Sequence, residues 1–163
     1  MKRIAALLIT ITFSLSSYAE NFISGRVVSV IDGNTIEIVG QDTETYKISL
    51  FGIDCPEIGQ EFGNHAKDLL KKIILNRIVD VKLQGKDRWG NSLGIVLIDG
   101  KVDPRFELLE AGLAWTAERN PIEELESLRE KARDNGKGLW KDKEPTPPWV
   151  YRRQQSMLEP KYR

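Results

Sequence analysis

Five short β-rich runs, punctuated by turn residues and interrupted once by a helical period, constrain the fold of this chain more than any other feature. The stretch GRVVSVIDGNTIEI, residues 25–38, breaks at Asp32-Gly33, a hairpin signal in which the glycine is expected to supply a positive φ. A third run, 45–51, follows the polar Gly40-Gln41-Asp42, so three antiparallel strands come first. Ala66, Leu69, Leu70 and Ile73 then fall at i, i+3, i+4 and i+7, one face of an amphipathic helix. Val79, Val81 and Leu83 alternate with Asp80 and Lys82, and a last run, 93–98, ends at Asp99-Gly100.

Two further helices close the pattern. Asp103-Pro104 reads as an N-cap with proline at the first helical position, Phe106 and Leu109 inside and Gly112 as the stop. Asn120-Pro121, with Glu123 reaching back to the cap, opens a helix that carries Ile122, Leu125, Leu128 and Ala132 and stops at Gly136. Five strands with a helix between the third and fourth predict an OB-fold, a five-stranded barrel with three helices, in the α+β class. The 163 residues suffice for one such domain and its appendages.

The two ends read differently from the middle. Lys2 and Arg3 precede the apolar run 4–13, and Ser17-Tyr18-Ala19 offers small residues for cleavage, so residues 1–19 are expected to be a signal peptide. The run is too short to span a bilayer and no second one follows, which predicts a secreted or periplasmic protein rather than a membrane anchor. The chain has 24 basic and 24 acidic residues, and loss of residues 1–19 removes two bases and no acid. Overall charge therefore supplies no attraction to a polyanion, and nucleic-acid binding has to rest on a local site. The one cysteine, Cys55, excludes an intrachain disulfide. A Pro-rich, basic tail, 142–163, is expected to be extended after the domain at 20–141, with Arg152, Arg153, Lys161 and Arg163 either solubilising it or engaging a protein partner.

The stretch Leu50-Phe51-Gly52-Ile53-Asp54-Cys55-Pro56-Glu57 places two carboxylates three residues apart around a proline, so that one loop can offer both to a cation. In order with it stand Val30-Ile31-Asp32-Gly33-Asn34-Thr35, Asp87-Arg88-Trp89-Gly90-Asn91, Leu108-Leu109-Glu110-Ala111-Gly112-Leu113-Ala114 and Gly138-Leu139-Trp140. Over residues 23–141 the chain resembles the thermonuclease, or staphylococcal nuclease-like, family. The resemblance implies an OB-fold and calcium-dependent hydrolysis of DNA and RNA phosphodiesters. It also implies metal ligands at Asp54, Asn34 and the Cys55 carbonyl, Glu57 as the group that orients or deprotonates the attacking water, and a substrate-facing ring at Trp89.

Three positions depart from the implied pattern. Asn34 stands where an acid is expected, which weakens the Ca²⁺ site by one charge. Ser49 and Asn91 stand where arginines are expected to meet the phosphate. Preorganised guanidiniums stabilise the charge that develops on phosphate oxygens, so these replacements imply weak or lost hydrolysis. One alternative is an active nuclease with relocated cations, Lys47 or Arg88. Lys47 lies two residues before Ser49 on the same strand face, roughly 7 Å along it. The other alternative is a non-catalytic OB-fold binding module of the cell envelope. His65 at a helix start and Cys55 in a tight loop read as structural, as do Trp115 and Trp140.

The export reading sets a direct expectation. Mass spectrometry of the protein from its native source should find the chain beginning near Glu20, outside the cytoplasm. A dominant species that retains residues 1–19 would contradict it.

Overall fold

The computed structural model describes residues 22–87 and 90–158, and the expected signal peptide at 1–19 lies outside them. In chain order the elements are β1 (Phe22–Val30), β2 (Thr35–Gly40), β3 (Thr45–Leu50), β4 (Ile53–Asp54) and α1 (Gly63–Ile74). Then come β5 (Ile78–Lys86), β6 (Ser92–Ile98), α2 (Pro104–Glu110), β7 (Trp115–Thr116), α3 (Glu123–Asp134), a 3₁₀ turn at Gly138–Lys141 and α4 (Pro148–Leu158). Strands β1-β2-β3-β6-β5 close a barrel, with α1 between the third and fourth barrel strands as the OB-fold requires.

The barrel is mixed. Four of its five pairings are antiparallel, and β3 closes against β6 in parallel through Ile48↔Ser92, Ser49↔Leu93 and Leu50↔Gly94. Gly94 of β6 leaves room for the barrel interior, since an added Cβ would lie 2.5 Å from Val81 Cγ1 of β5 and 3.2 Å from Ile48 Cγ2 of β3. Alternating inward residues fill the interior: Val27, Ile36, Ile38, Ile48, Val79, Val81 and Val96 are fully buried. One face of α1, Ala66, Leu70 and Ile74, joins the same core, as do Leu108 and Leu109 of α2 and Leu125 of α3. No helix among the described residues is long and apolar enough to cross a membrane.

Several expectations change in detail. Gly33 does not take a positive φ, and its role is steric, since an added Cβ would lie 2.6 Å from Cys55 Cβ and 2.7 Å from Ala66 Cβ. Asp103 does cap α2, accepting from the Arg105 backbone N–H, with Pro104 at the first position. Helix α3 starts later than expected, with Ile122 at the cap, because Asn120 takes a left-handed φ of 52° and ends the preceding segment instead. Gly112 and Gly136 follow α2 and α3 with φ of 69° and 57°, the left-handed stops expected of them.

The largest correction concerns the tail. It is not extended throughout, because residues 148–158 form a fourth helix, α4. Pro148 is its first residue, where a missing N–H is no loss. Trp149 meets Trp115 edge-on at 5.6 Å, and Trp115 meets Trp140 at 4.5 Å. This half-buried tryptophan cluster, rather than the barrel interior, is what Trp115 and Trp140 anchor.

The packing around Gly33 yields a prediction. Gly33→Ala forces two side-chain carbons apart in a closed core, and overpacking of this kind costs about 1–3 kcal/mol. Urea denaturation should show a lower midpoint than wild type, and an unchanged midpoint would contradict the close-approach role.

Candidate active site

A cleft of about 500 Å³ opens beside the barrel where the β1–β2 turn, the end of β3, the β4 loop, the β5–β6 turn and α4 converge. Its lining includes Asp32, Asn34, Lys47, Ser49, Asp54, Cys55, Glu57, Asp87, Asn91 and Arg152. The structure thus brings Asn34, Lys47, Asp54, Cys55 and Glu57 to one cleft. Arg88 and Trp89, the other relocated cation and the substrate-facing ring, lie outside the described residues.

Backbone geometry explains why Asp54 sits here. Strand β4 pairs with β7, Asp54 opposite Trp115. Just upstream, Arg105, only 6% exposed, donates to the Phe51 carbonyl at 2.7 Å while its guanidinium pairs with Asp103 at 2.5 Å. The α2 N-cap therefore also pins the approach to the acidic loop. On the other side Gly63 packs its Cα against the Glu57 carbonyl, since an added Cβ would lie 2.0 Å from that oxygen.

The β1–β2 turn is locked to this loop. Asp32 Oδ1 accepts from the Asn34 N–H at 2.9 Å, Asn34 Oδ1 accepts from the Cys55 N–H at 3.1 Å, and the Cys55 thiol donates to the Gly33 carbonyl at 3.2 Å. Burial, with Asp54 nearby, pushes the thiol of Cys55 well above the usual range. This is the environment of an inert packed thiol, which agrees with the structural reading of Cys55. His65, also read as structural, is exposed on α1, its ring 5.6 Å from that of Phe62.

The two positions without arginine are accounted for locally. Ser49 stands opposite Thr35 in the β2–β3 register, is 8% exposed, and its Oγ lies 3.5 Å from Thr35 Oγ1. Asn91 donates from its backbone N–H and its amide to the two Asp87 carboxylate oxygens at 2.9 and 2.8 Å. Lys47 is exposed on β3 opposite Glu37.

The feature that the sequence does not reveal is Arg152. Its Nη1 donates to Glu57 Oε1 at 2.6 Å and to Asp54 Oδ1 at 3.1 Å, and its Nη2 donates to Asp54 Oδ2 at 2.6 Å. Burial lifts the Asp54 carboxyl above the usual carboxylate range, with Glu57 and Asp32 adding to the lift while Arg152 pulls it down. The same contacts hold the guanidinium protonated more firmly than usual. The available signal was the Pro147-Pro148-Trp149 helix start, three residues ahead of the arginine and on its face.

Oxygen donors of this kind suit a hard divalent cation in type: the Asp54 carboxylate, the Asn34 amide oxygen and nearby backbone carbonyls. Among the described residues, no three His, Cys, Asp or Glu side chains form a group that could hold a metal ion. Among its described residues the cleft carries four carboxylates, Asp32, Asp54, Glu57 and Asp87, against Lys47 and Arg152, an acidic balance that favours such a cation.

The chain is a closed OB-type barrel with an acid-lined cleft beside it. The family described as Staphylococcal nuclease homologue matches residues 47–142, and the chain belongs to that family. It is 37% identical over 131 residues to an uncharacterized endonuclease of Escherichia coli O157:H7, covering 80% of this chain and 85% of that one. It is 32% identical to Protein ParB of Escherichia coli, covering 94% and 92%, and 28% identical to a micrococcal nuclease of Shigella flexneri, covering 93% and 91%.

Thiol chemistry tests the lock between the turn and the acidic loop. Native protein at about pH 8 should resist a disulfide-type thiol reagent, whose sulfur a thiolate must reach and attack, and should take up one equivalent once denaturant unfolds it. Rapid labelling of the native protein would contradict the burial of Cys55.

Proposed function

We propose that this chain is an exported, divalent-cation-dependent phosphodiesterase that cleaves DNA or RNA slowly at the cleft holding Asp54 and Glu57. The observation that carries the reading is the convergence of these two carboxylates on the Arg152 guanidinium in an acid-lined cleft beside the β1–β2 turn, within a nuclease-family barrel. The export part rests on the composition of residues 1–19 alone.

Asp54, Asn34 and the Cys55 carbonyl are the groups that would hold Ca²⁺, and Asn34 supplies an oxygen without a charge, so binding is weak. When bound, the ion neutralises charge on the phosphate oxygens. Glu57 takes a proton from the attacking water as that oxygen bonds to phosphorus. One P–O ester bond breaks, and the leaving oxygen takes up a proton in turn, so one water yields a phosphate monoester and a hydroxyl. Ser49 and Asn91 offer hydrogen bonds but no positive charge, and each absent charged donor costs on the order of 10²- to 10³-fold in rate.

The test is hydrolysis of a fluorescently labelled oligonucleotide by purified protein with millimolar Ca²⁺ or Mg²⁺. Activity should vanish on chelation and fall on the order of 10²-fold or more in Glu57→Gln. Wild type that binds the oligonucleotide but cleaves nothing with any divalent ion would instead establish a non-catalytic binding module. Activity equal in Glu57→Gln would mark a contaminating nuclease.

A further inference from the structure

We propose that Arg152, carried into the cleft by α4, is the arginine that meets the phosphodiester in this site. The inference rests on the hydrolytic reading of the cleft and names its missing cation. A phosphodiester is an anion, and the cleft it must enter is lined by an excess of carboxylates. Among the described lining residues the cations are Lys47 and Arg152. Lys47 sits exposed on β3, a point charge on a flexible stem. Arg152 is a planar fork already fixed in the cleft, its side chain 28% exposed.

Its position is the useful one. Nη1 bridges the carboxylates of Asp54 and Glu57, so the positive charge lies beside the group that activates water. Ser49 and Asn91 line the same cleft, and Arg152 delivers from the C-terminal helix the kind of charge that those two side chains lack. A guanidinium held by carboxylates before substrate arrives is preorganised, which is the condition under which such donors contribute most to catalysis.

The docking of α4 is built rather than incidental. Trp149, one turn before Arg152 on the same helix face, stacks edge-on against Trp115, and Trp115 is the strand partner of Asp54. Pro148 is buried, and the Gln60 amide, whose oxygen accepts from the Glu57 N–H at 2.9 Å, donates to the Thr146 carbonyl at 3.0 Å. The acidic loop and the start of α4 are thereby one unit. In the reaction Arg152 exchanges no proton. It turns from the Glu57 and Asp54 oxygens, which the water proton and the ion then need, to the phosphate oxygens while water adds, the ester oxygen leaves and Glu57 handles the proton.

The test compares steady-state cleavage of the labelled oligonucleotide by wild type, Arg152→Gln, Arg152→Lys, and Ser49→Arg with Asn91→Arg in both the wild-type and the Arg152→Gln protein. Near-ultraviolet circular dichroism of the tryptophan cluster reports whether α4 stays docked. Arg152→Gln should lower kcat on the order of 10²-fold or more, with a smaller change in KM. Arg152→Lys, which keeps the charge but not the fork, should recover only part of the loss. Guanidiniums placed at 49 and 91 should recover at least about tenfold of the loss and should raise the Arg152-containing protein by a smaller factor, whereas a merely structural ion pair would give the same factor in both. A docked Arg152→Gln that cleaves as fast as wild type, or faster, overturns the proposal and marks Arg152 as a structural pair or a plug. It leaves the hydrolytic reading standing as long as Glu57→Gln is inactive. Wild type that cleaves nothing with any divalent ion overturns both.

Discussion

Asp54 is largely buried at the end of β4, the short strand that pairs with β7 beside the barrel, and what compensates its charge arrives from 98 residues further along the chain. The guanidinium of Arg152 engages both oxygens of Asp54 and one of Glu57, so one side chain offsets part of the charge of both acids at the centre of the cleft. Removing either partner of a buried pair leaves an uncompensated charge, which is far more costly than the pair is stabilising. The acidic loop, the tryptophan cluster and the C-terminal helix therefore depend on one another.

The barrel supplies the rigidity this arrangement needs. Parallel closure of β3 on β6 fixes the end of β3, and the Asp103–Arg105 pair holds the Phe51 carbonyl that follows it. The chain of hydrogen bonds from Asp32 through Asn34 to Cys55 then ties the β1–β2 turn to the loop that carries Asp54. Each tie shortens the distance over which a cleft residue can wander, and precise placement is what positioning catalysis requires. Asn34 belongs to this bracing as well as to the oxygen donors, which is why an uncharged residue at that position still serves the fold.

Local pattern made much of this legible. The five barrel strands, α1 and the Asp103-capped helix follow from alternation, helical period and capping chemistry, because each is set by near neighbours in sequence. The carboxylates Asp54 and Glu57 stood out through their spacing. What sequence did not show has a common cause, distance along the chain. The role of Gly33 depends on Cys55 and Ala66 closing over it, and the pairing of Ser49 with Thr35 depends on strand register. The helix at 148–158 was hidden because its prolines read as extended chain, while its stability comes from Trp149 packing on Trp115. Hence Arg152 read as a surface charge of the tail.

The dependence of the cleft on the C-terminal helix is tested most directly by a double-mutant cycle on unfolding free energy, using Arg152→Gln, Asp54→Asn and the double variant. The two side chains touch, and neither is more than 28% exposed, so their effects should be strongly coupled. The cycle should return a coupling of about 1 kcal/mol or more. Additive effects, with no coupling beyond measurement error, would contradict the claim that α4 delivers Arg152 to Asp54.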